Sequence, residues 1–243
     1  MKMGIKNFKQ VFKALKQAYG NKYAWTEVKD VLNSEGQSLN ISEEDIHDPF
    51  KNLIIGILSQ NTSDRNSTRA YVGLVKEFGK ITPEVLSKAS VEKIKSAIKP
   101  GGLYNLKSKR IKKLTQTIWE RYDGDLTKIT KLPKEKARKE LLELPGIGQK
   151  TADVFITDCL DIGVMAVDTN IERVVKRLGF VSSGAEYCEI KNTLEKDISP
   201  KERLRAHELL IRLGRDYCKA TKPLCNVCPL NKLCEKNLIK VVD

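Results

Sequence analysis

The chain has 243 residues, of which 40% are hydrophobic, and its formal net charge at pH 7 is +13. This length and composition allow a sizeable core in one or two domains and exclude a disordered polypeptide. No stretch approaches the roughly 20 apolar residues that cross a bilayer, and residues 1–6 lack the apolar run of a secretory signal. We therefore expect an intracellular protein, in the cytoplasm or nucleoid, that does not associate with a membrane.

The positive charge predicts a polyanionic partner, and nucleic acid is the most common intracellular polyanion. One alternative is a lysine-rich surface that serves solubility, and enrichment in Lys and Glu also occurs in proteins from hot environments. Charge alone does not decide between these interpretations, so the motifs must.

Helical periodicity dominates the chain from its first element onward. An amphipathic N-terminal helix is predicted by apolar residues at positions i, i+3, i+4 and i+7: Phe8, Val11, Phe12 and Leu15. Residues 25–32 are predicted to add a second short helix, and the polar, turn-rich residues 33–48 to form a connector. Pro49 then opens a helix that is apolar on most faces and is therefore expected in the core.

Nine further helices are predicted downstream, with Thr82 and Ser90 as N-caps and Gly179 as a C-terminal stop. They are residues 66–78, one helix after Thr82, one after Ser90, about 106–121, a helix that ends at Leu144, 149–161, the helix after Asp168, 186–196 and 200–215. No segment shows a convincing period-two alternation, so the predicted fold class is all-α.

The string Leu-Pro-Gly-Ile-Gly at residues 144–148 predicts a tight turn between two helices. Pro145 ends the first helix, while Gly146 and Gly148 permit the turn without a Cβ clash. Backbone N–H groups at the start of the second helix, aided by its dipole, would form a phosphate site where a DNA backbone docks. An ordinary interhelical turn is the alternative, but the full string through Lys150 favours DNA docking.

Lys150 and Asp168 are the candidate catalytic pair. Lys150 lies near the predicted phosphate site, where its amine is either a nucleophile or a simple phosphate contact. Asp168 precedes an amphipathic helix, so it is expected to be an N-cap. Its functional interpretation is a carboxylate that faces the same cleft as Lys150 and stabilises positive charge developing on a deoxyribose ring.

Four of the six cysteines lie within the last 26 residues with the spacing C-x6-C-x2-C-x5-C: Cys218, Cys225, Cys228 and Cys234. Clustered cysteines in a reducing compartment indicate metal ligands before disulfides. On chemistry alone, four thiolates suit zinc and an iron–sulfur cluster comparably. Cys159 and Cys188 lie outside the cluster, in partly apolar helical segments, and are expected to be buried, inert thiols.

These motifs together resemble the endonuclease III family of helix-hairpin-helix DNA glycosylases. The resemblance spans about residues 48–234 and is carried by LPGIGQKTA at 144–152, AVDTNIERVVKRLG at 166–179 and the four-cysteine tail. Further landmarks of the family are similar at 48–50, 58–64, 102–105 and 207–215.

The resemblance implies a bifunctional DNA glycosylase and abasic-site lyase that removes oxidised pyrimidines from double-stranded DNA, acting as a monomer. Lys150 would attack the sugar C1′ and form a Schiff base, Asp168 would be its partner, and β-elimination would cleave the strand. Gln60 and Leu103 would fill the stack that the extruded nucleotide leaves, and Gly146 and Gly148 would contact the DNA backbone. The four cysteines would hold a [4Fe–4S] cluster.

The resemblance also implies two helical lobes. One would comprise residues 48–159 and end in the hairpin, and the other would combine 1–47 with 160–243 and carry the cluster loop at 218–234. DNA would cross the cleft between them. Two alternatives stay open: a glycosylase for uracil or mismatched thymine, and a non-catalytic DNA-binding protein with the same hairpin.

Overall fold

The computed structural model of the protein describes residues 7–20 and 41–236, and within these ranges it contains helices, turns and loops but no β-strand. The predicted all-α class is therefore confirmed. In the same ranges no helix is both long and apolar enough to cross a membrane. The helix predicted at 25–32 and the first half of the connector predicted at 33–48 lie outside the described residues.

Thirteen α-helices are described within these ranges, and two short 3-10 turns, Lys99–Gly101 and Cys225–Val227, accompany them. In chain order the helices are α1 (Phe8–Tyr19), α2 (Glu43–His47), α3 (Pro49–Ser59), α4 (Asp64–Phe78), α5 (Pro83–Lys88), α6 (Val91–Ala97), α7 (Tyr104–Tyr122), α8 (Thr127–Thr130), α9 (Lys134–Glu143), α10 (Gln149–Leu160), α11 (Thr169–Leu178), α12 (Tyr187–Asp197) and α13 (Pro200–Asp216). The predicted helices in the described ranges are all present, with ends within two residues of the prediction.

Two short helices were not predicted. The four-residue α8 is too short to show a periodic pattern. The five-residue α2 lies in a segment predicted to be a connector, and a capping box stabilises its start. There Ser42 Oγ accepts a hydrogen bond from the Asp45 amide at 3.0 Å, and the Ser42 amide donates to Asp45 Oδ2 at 3.3 Å.

The chain divides into two compact units. Glu27–Ile162 form one, called the contiguous unit below, and Met1–Thr26 with Gly163–Asp243 form the other, called the split unit. The contiguous unit begins before the predicted boundary at residue 48 and includes α2, which packs against α3 and α10. It ends a few residues after the predicted boundary at 159.

In the contiguous unit, α3 is the central apolar element, as its composition predicted. Asp48 caps its N-terminus by accepting a hydrogen bond from the Lys51 amide at 2.8 Å. Its buried apolar side chains include Leu53, Ile54, Ile57 and Leu58. Gly56 lets α3 approach α10 closely, since a Cβ there would come within 2.6 Å of the Thr151 methyl group. This close approach fixes the first turn of α10, the turn that carries Lys150.

In the split unit, α1 packs by the apolar face that its periodicity predicted. Phe8, Val11, Phe12 and Leu15 are all buried, in one core with residues of α11, α12 and α13. Phe8 also meets Phe180 edge-on, with 5.3 Å between ring centroids.

The structure corrects one of the two cysteine predictions outside the cluster. Cys159 is half-buried, and burial raises the pKa of its thiol, as expected for an inert residue. Cys188, in contrast, is exposed. The reason is that α12 turns Ile190 and Leu194 into the core, and Cys188 lies on a different face of the same helix.

Candidate active site and cysteine loop

The predicted hairpin between α9 and α10 is present. Leu144 and Ile147 are buried and anchor the turn, while Gly146 adopts a φ of +82°, a conformation that L-residues rarely occupy. Arg138 of α9 ties the two helices together, because its Nε donates to Oδ1 of the fully buried Asp153 at 2.8 Å. We call residues 144–149 the hairpin. Its conformation is fixed by the packing of two apolar side chains, by the left-handed backbone of Gly146 and by one ion pair between the flanking helices.

The hairpin leaves the first turn of α10 without a side-chain cap. Gly148 is the N-cap and has no side chain that could accept hydrogen bonds from the first-turn amides. The positive end of the helix dipole and these amides therefore meet at the turn, the arrangement that suits a phosphate. The prediction that Gly146 and Gly148 contact DNA stays a prediction.

Lys150 is the second residue of α10 and is half-buried. Its positive charge acts on Asp158, two turns further along the same helix. Burial raises the pKa of the Asp158 carboxyl, and three neighbours counteract this effect: a hydrogen bond from Asn52 at 3.0 Å, His47 and Lys150. Lys150 is therefore close enough to the partly buried Asp158 to influence it, and it does not lie on a fully solvated face.

Gln60 lies against the hairpin. Its Nε2 donates to the Gly146 carbonyl at 2.9 Å, and its Oε1 accepts a hydrogen bond from Arg110 Nη1 at 2.6 Å. The Arg110 side chain also lines Gly146, where a Cβ would come within 3.3 Å of it. The sequence placed Gln60 and Gly146 in one site but did not identify Arg110, which holds them together.

Leu103 is in the loop before α7 and is half exposed, at 50%. It adopts a left-handed conformation with φ of 48°, which is unusual for a residue with a bulky side chain. The neighbouring Gly102, at φ of 66°, approaches the loop after α3, since a Cβ there would lie 3.9 Å from Thr62 Oγ1. The structure thus brings the loops of Gln60 and Leu103 together, while the plugging role of the two side chains stays a prediction.

Asp168 is the N-cap of α11, as predicted. Its Oδ1 accepts a hydrogen bond from the Ile171 amide at 2.7 Å, and its Oδ2 accepts one from Asn170 Nδ2 at 2.8 Å. Asn170 Oδ1 in turn accepts from Arg173 Nη2 at 2.8 Å. The carboxylate is therefore held in one orientation by its own helix. Asp168 belongs to the split unit and Lys150 to the contiguous unit, so their meeting over one substrate stays a prediction.

The four clustered cysteines lie in a loop, residues 217–236, that two arginines of α11 hold. Arg173 Nε donates to the Cys218 carbonyl at 2.8 Å. The buried Arg177 donates to the carbonyls of Lys219 and Ala220 at 2.6 and 3.0 Å, and its Nη1 lies 3.5 Å from Cys218 Sγ. Neither arginine was singled out from the sequence. We call residues 217–236 the cysteine loop.

The thiols of the cysteine loop are half-buried and close to one another. Burial raises the pKa of Cys228, and the neighbouring sulfurs of Cys218, Cys234 and Cys225 raise it further. Within the described residues, no three His, Cys, Asp or Glu side chains converge on a point that would suit a single metal ion. An iron–sulfur cluster is larger than a single metal ion, and each of its irons binds a different cysteine. Four thiols that lie close to one another are therefore a donor set that fits such a cluster.

The all-α fold and the hairpin between α9 and α10 define a helix-hairpin-helix protein, and the sequence comparisons find the same class. Residues 54–200 match the family described as "HhH-GPD superfamily base excision DNA repair protein". The chain is 35% identical to an Endonuclease III of Sulfolobus acidocaldarius over 76% of this chain and 81% of that one. It is also 35% identical to an Endonuclease III of Bacillus subtilis, over 77% and 81% of the two chains.

The solved structures agree with the sequence relatives. A structure described as a trapped endonuclease III–DNA covalent intermediate aligns with a TM-score of 0.72 and 30% identity, over 96% of this chain and 97% of that one. The chain belongs to the endonuclease III family within the HhH-GPD superfamily. It is therefore an enzyme of base excision DNA repair.

Proposed function

We propose that the protein is a bifunctional DNA glycosylase and abasic-site lyase in which Lys150 is the nucleophile. The observation that carries this proposal is a lysine in the first turn of α10, two residues after Gly148, which has no side chain to cap the helix. A DNA phosphate bound at that turn would bring a deoxyribose within reach of the amine. The similarity to a trapped covalent complex of endonuclease III with DNA supports the same chemistry.

The proposed reaction has two stages. The neutral Lys150 amine attacks C1′, the glycosidic bond breaks, and the base leaves with the bonding electrons and takes up a proton. The sugar ring then opens, and the nitrogen and C1′ form an iminium ion, the Schiff base. Loss of a proton from C2′ breaks the C3′–O bond, which cleaves the strand 3′ to the abasic site, and water finally releases Lys150.

Asp168 supplies a negative charge in this proposal. Its carboxylate stabilises the positive charge that develops on the sugar as the base departs, and it accepts a proton during activation of the amine. The N-cap hydrogen bonds keep the carboxylate oriented before substrate arrives. An oriented carboxylate needs little reorganisation in the transition state, which is the source of its catalytic benefit.

Before the chemistry, the damaged nucleotide must leave the duplex, at a cost of a few kcal/mol. We propose that Gln60 and Leu103 enter the vacated stack and offset part of this cost. Leu103 offers an exposed apolar side chain, and Gln60 offers an amide that can hydrogen-bond to bases. Gln60 must first give up its bonds to Gly146 and Arg110.

The cysteine loop would hold a [4Fe–4S] cluster through Cys218, Cys225, Cys228 and Cys234. In this proposal the cluster supplies structure, by pinning the loop, and takes no part in glycosidic bond cleavage. The exposed Lys219, Lys222 and Lys232 on this loop could then face DNA phosphates.

The proposed substrates are oxidised pyrimidines, such as thymine glycol, and abasic sites in double-stranded DNA, acted on by a monomer. A panel of duplexes tests this, with thymine glycol, an abasic site, uracil opposite guanine and thymine opposite guanine, each scored for base release and for strand cleavage. Cleavage at thymine glycol and at the abasic site is expected. Release of only uracil or mismatched thymine would support the mismatch alternative, and binding without any reaction would support a non-catalytic protein.

A further inference from the structure

The contiguous unit contains a buried lysine that the proposed reaction does not use. Lys107 of α7 is only 1% exposed, and burial lowers the pKa of its amine. Its Nζ donates to two backbone carbonyls, of Leu58 at 2.7 Å and of Gly101 at 3.0 Å. Burying an ammonium group is costly, so a fold that retains one at this position has a use for its hydrogen bonds.

The two carbonyls that bind Lys107 lie at matching distances along the chain from Gln60 and Leu103. Leu58 lies two residues before Gln60, in the last turn of α3, where the helix dipole is negative and favours a cation. Gly101 lies two residues before Leu103. The Lys107 amide also makes the regular helical hydrogen bond of the first turn of α7, to the carbonyl of the N-cap residue Leu103 at 2.9 Å. One residue thus connects the starts of both loops.

Both loops contain residues in the left-handed region of backbone conformation. Asn61 has a φ of 50°, and Gly102 and Leu103 have φ values of 66° and 48°. A left-handed conformation is unfavourable for a residue with a bulky side chain such as Leu103 and persists only where the surroundings impose it. Lys107 binds one loop three residues before Asn61 and the other loop one residue before Gly102.

We propose that Lys107 is a positioning residue that holds the loops of Gln60 and Leu103 in register, so that the two side chains enter the duplex together as the nucleotide leaves. This inference rests on the proposed function, because it assigns Lys107 to the extrusion step of that reaction. Lys107 does not touch the reacting atoms, and its effect is transmitted through the two loops.

Lys112, on the same helix, provides a matched control. Its Nζ also donates to two backbone carbonyls, of Ser87 and of Ala89, the latter at 2.7 Å. These carbonyls belong to the end of α5 and the residue after it, and not to the loops of Gln60 and Leu103. Lys107→Met and Lys112→Met both remove an ammonium group that links α7 to backbone carbonyls, but only the first one loosens the two loops.

The experiment compares single-turnover cleavage of two DNA substrates by the full-length wild type and both variants. One substrate is a fully paired duplex with thymine glycol, and the other holds the same lesion in a bulge, where it is already unpaired. We expect Lys107→Met to slow cleavage of the paired substrate by roughly tenfold or more, since small misplacements are that costly, and of the bulge by less than about threefold, since extrusion is the step affected. Lys112→Met should change both rates equally.

A second readout follows extrusion without any chemistry. 2-Aminopurine next to an abasic-site analogue fluoresces when stacking is lost, and Lys107→Met should reduce this signal while Lys112→Met preserves it. Equal slowing of both substrates by Lys107→Met, with an unchanged fluorescence signal, would overturn the proposal and leave Lys107 a structural residue. If wild type cleaves neither substrate, the proposed function fails, and the fluorescence signal still tests Lys107.

Should Lys107→Met not fold, Lys107→Gln, which keeps a donor, takes its place in both measurements.

Discussion

The hairpin and the cysteine loop are held in place by different means. The hairpin has its own apolar anchors, since Leu144 and Ile147 are buried and α10 continues into Phe155 and Ile156 of the core. Within residues 217–236, all of which the structure describes, Leu230 is the only buried side chain, and arginines of α11 hydrogen-bond to the carbonyls of Cys218 and Lys219. The hairpin is therefore held by packing, whereas the cysteine loop is held by hydrogen bonds from α11, and the proposed cluster would pin it further.

The largest expected difference between the two regions follows from Cys225→Ser. Removing one proposed ligand should abolish the brown colour and the bound iron, because a cluster with three cysteine ligands is poorly held. The cysteine loop should then lose its hydrogen-exchange protection, while α2–α10 of the contiguous unit keep theirs. Exchange measured by mass spectrometry, with iron and sulfide analysis, checks both parts.

The matched control for Cys225→Ser is Cys188→Ser, which alters an exposed cysteine outside the cluster and should leave iron content unchanged. A colourless wild type that is fully folded and binds stoichiometric zinc would contradict the iron–sulfur assignment.

A smaller effect is expected from changing the glycines of the hairpin. Gly146→Ala forces a side chain into a φ of +82° and against Arg110, which should destabilise the protein by about 1–2 kcal/mol and weaken binding to an abasic-site duplex. Gly148→Ala is the control for stability, since its φ is −101° and its Cβ would meet open space. Its unfolding free energy should fall by less than that of Gly146→Ala, since only the preference for glycine over alanine at an N-cap is lost. Equal losses in urea denaturation would show that the turn does not need a left-handed residue.

The smallest effect concerns pH and Asp158. Burial raises the pKa of this carboxyl in the folded protein. The folded state therefore binds the proton more tightly than the unfolded state, so ionisation costs stability as pH rises through the unfolded value of roughly 3.9, and the full cost applies above the folded pKa. Asp158→Asn removes this cost and should raise the melting temperature at pH 7 but not at pH 3.

Asp161→Asn serves as the control for Asp158→Asn, since Asp161 is exposed at the end of the same helix and its left-handed conformation suits asparagine. It should have little effect at either pH. A lower melting temperature of Asp158→Asn at pH 7 would mean that the interactions of Asp158 with Asn52, His47 and Lys150 outweigh its burial.

The sequence predicted the elements whose signals are local. The apolar spacing of α1, the glycines of the hairpin and the N-cap at Asp168 each depend on a few neighbouring residues, and each is found. Lys107 and Arg110 were missed because both lie on α7, a helix rich in basic residues, where nothing local separates a buried cation from a solvated one. Their roles depend on carbonyl and amide partners at Leu58 and Gln60, about fifty positions away.

The same limit explains the error at Cys188. A partly apolar helix indicates that one face is buried, but the residue that points away from the core is decided by how α12 packs on its neighbours. The cysteine spacing likewise predicted a metal site, whereas the anchoring of the cysteine loop by Arg173 and Arg177 required the structure.

The central claim is that the Lys150 amine forms a covalent bond with the sugar of an extruded nucleotide. Sodium borohydride reduction of the wild-type protein with an abasic-site duplex should trap a protein–DNA adduct, and Lys150→Ala should trap none while still binding the duplex. Peptide mapping of the adduct should locate the link at Lys150. Undiminished trapping by Lys150→Ala, or no adduct with a wild type that cleaves the strand, would contradict the account.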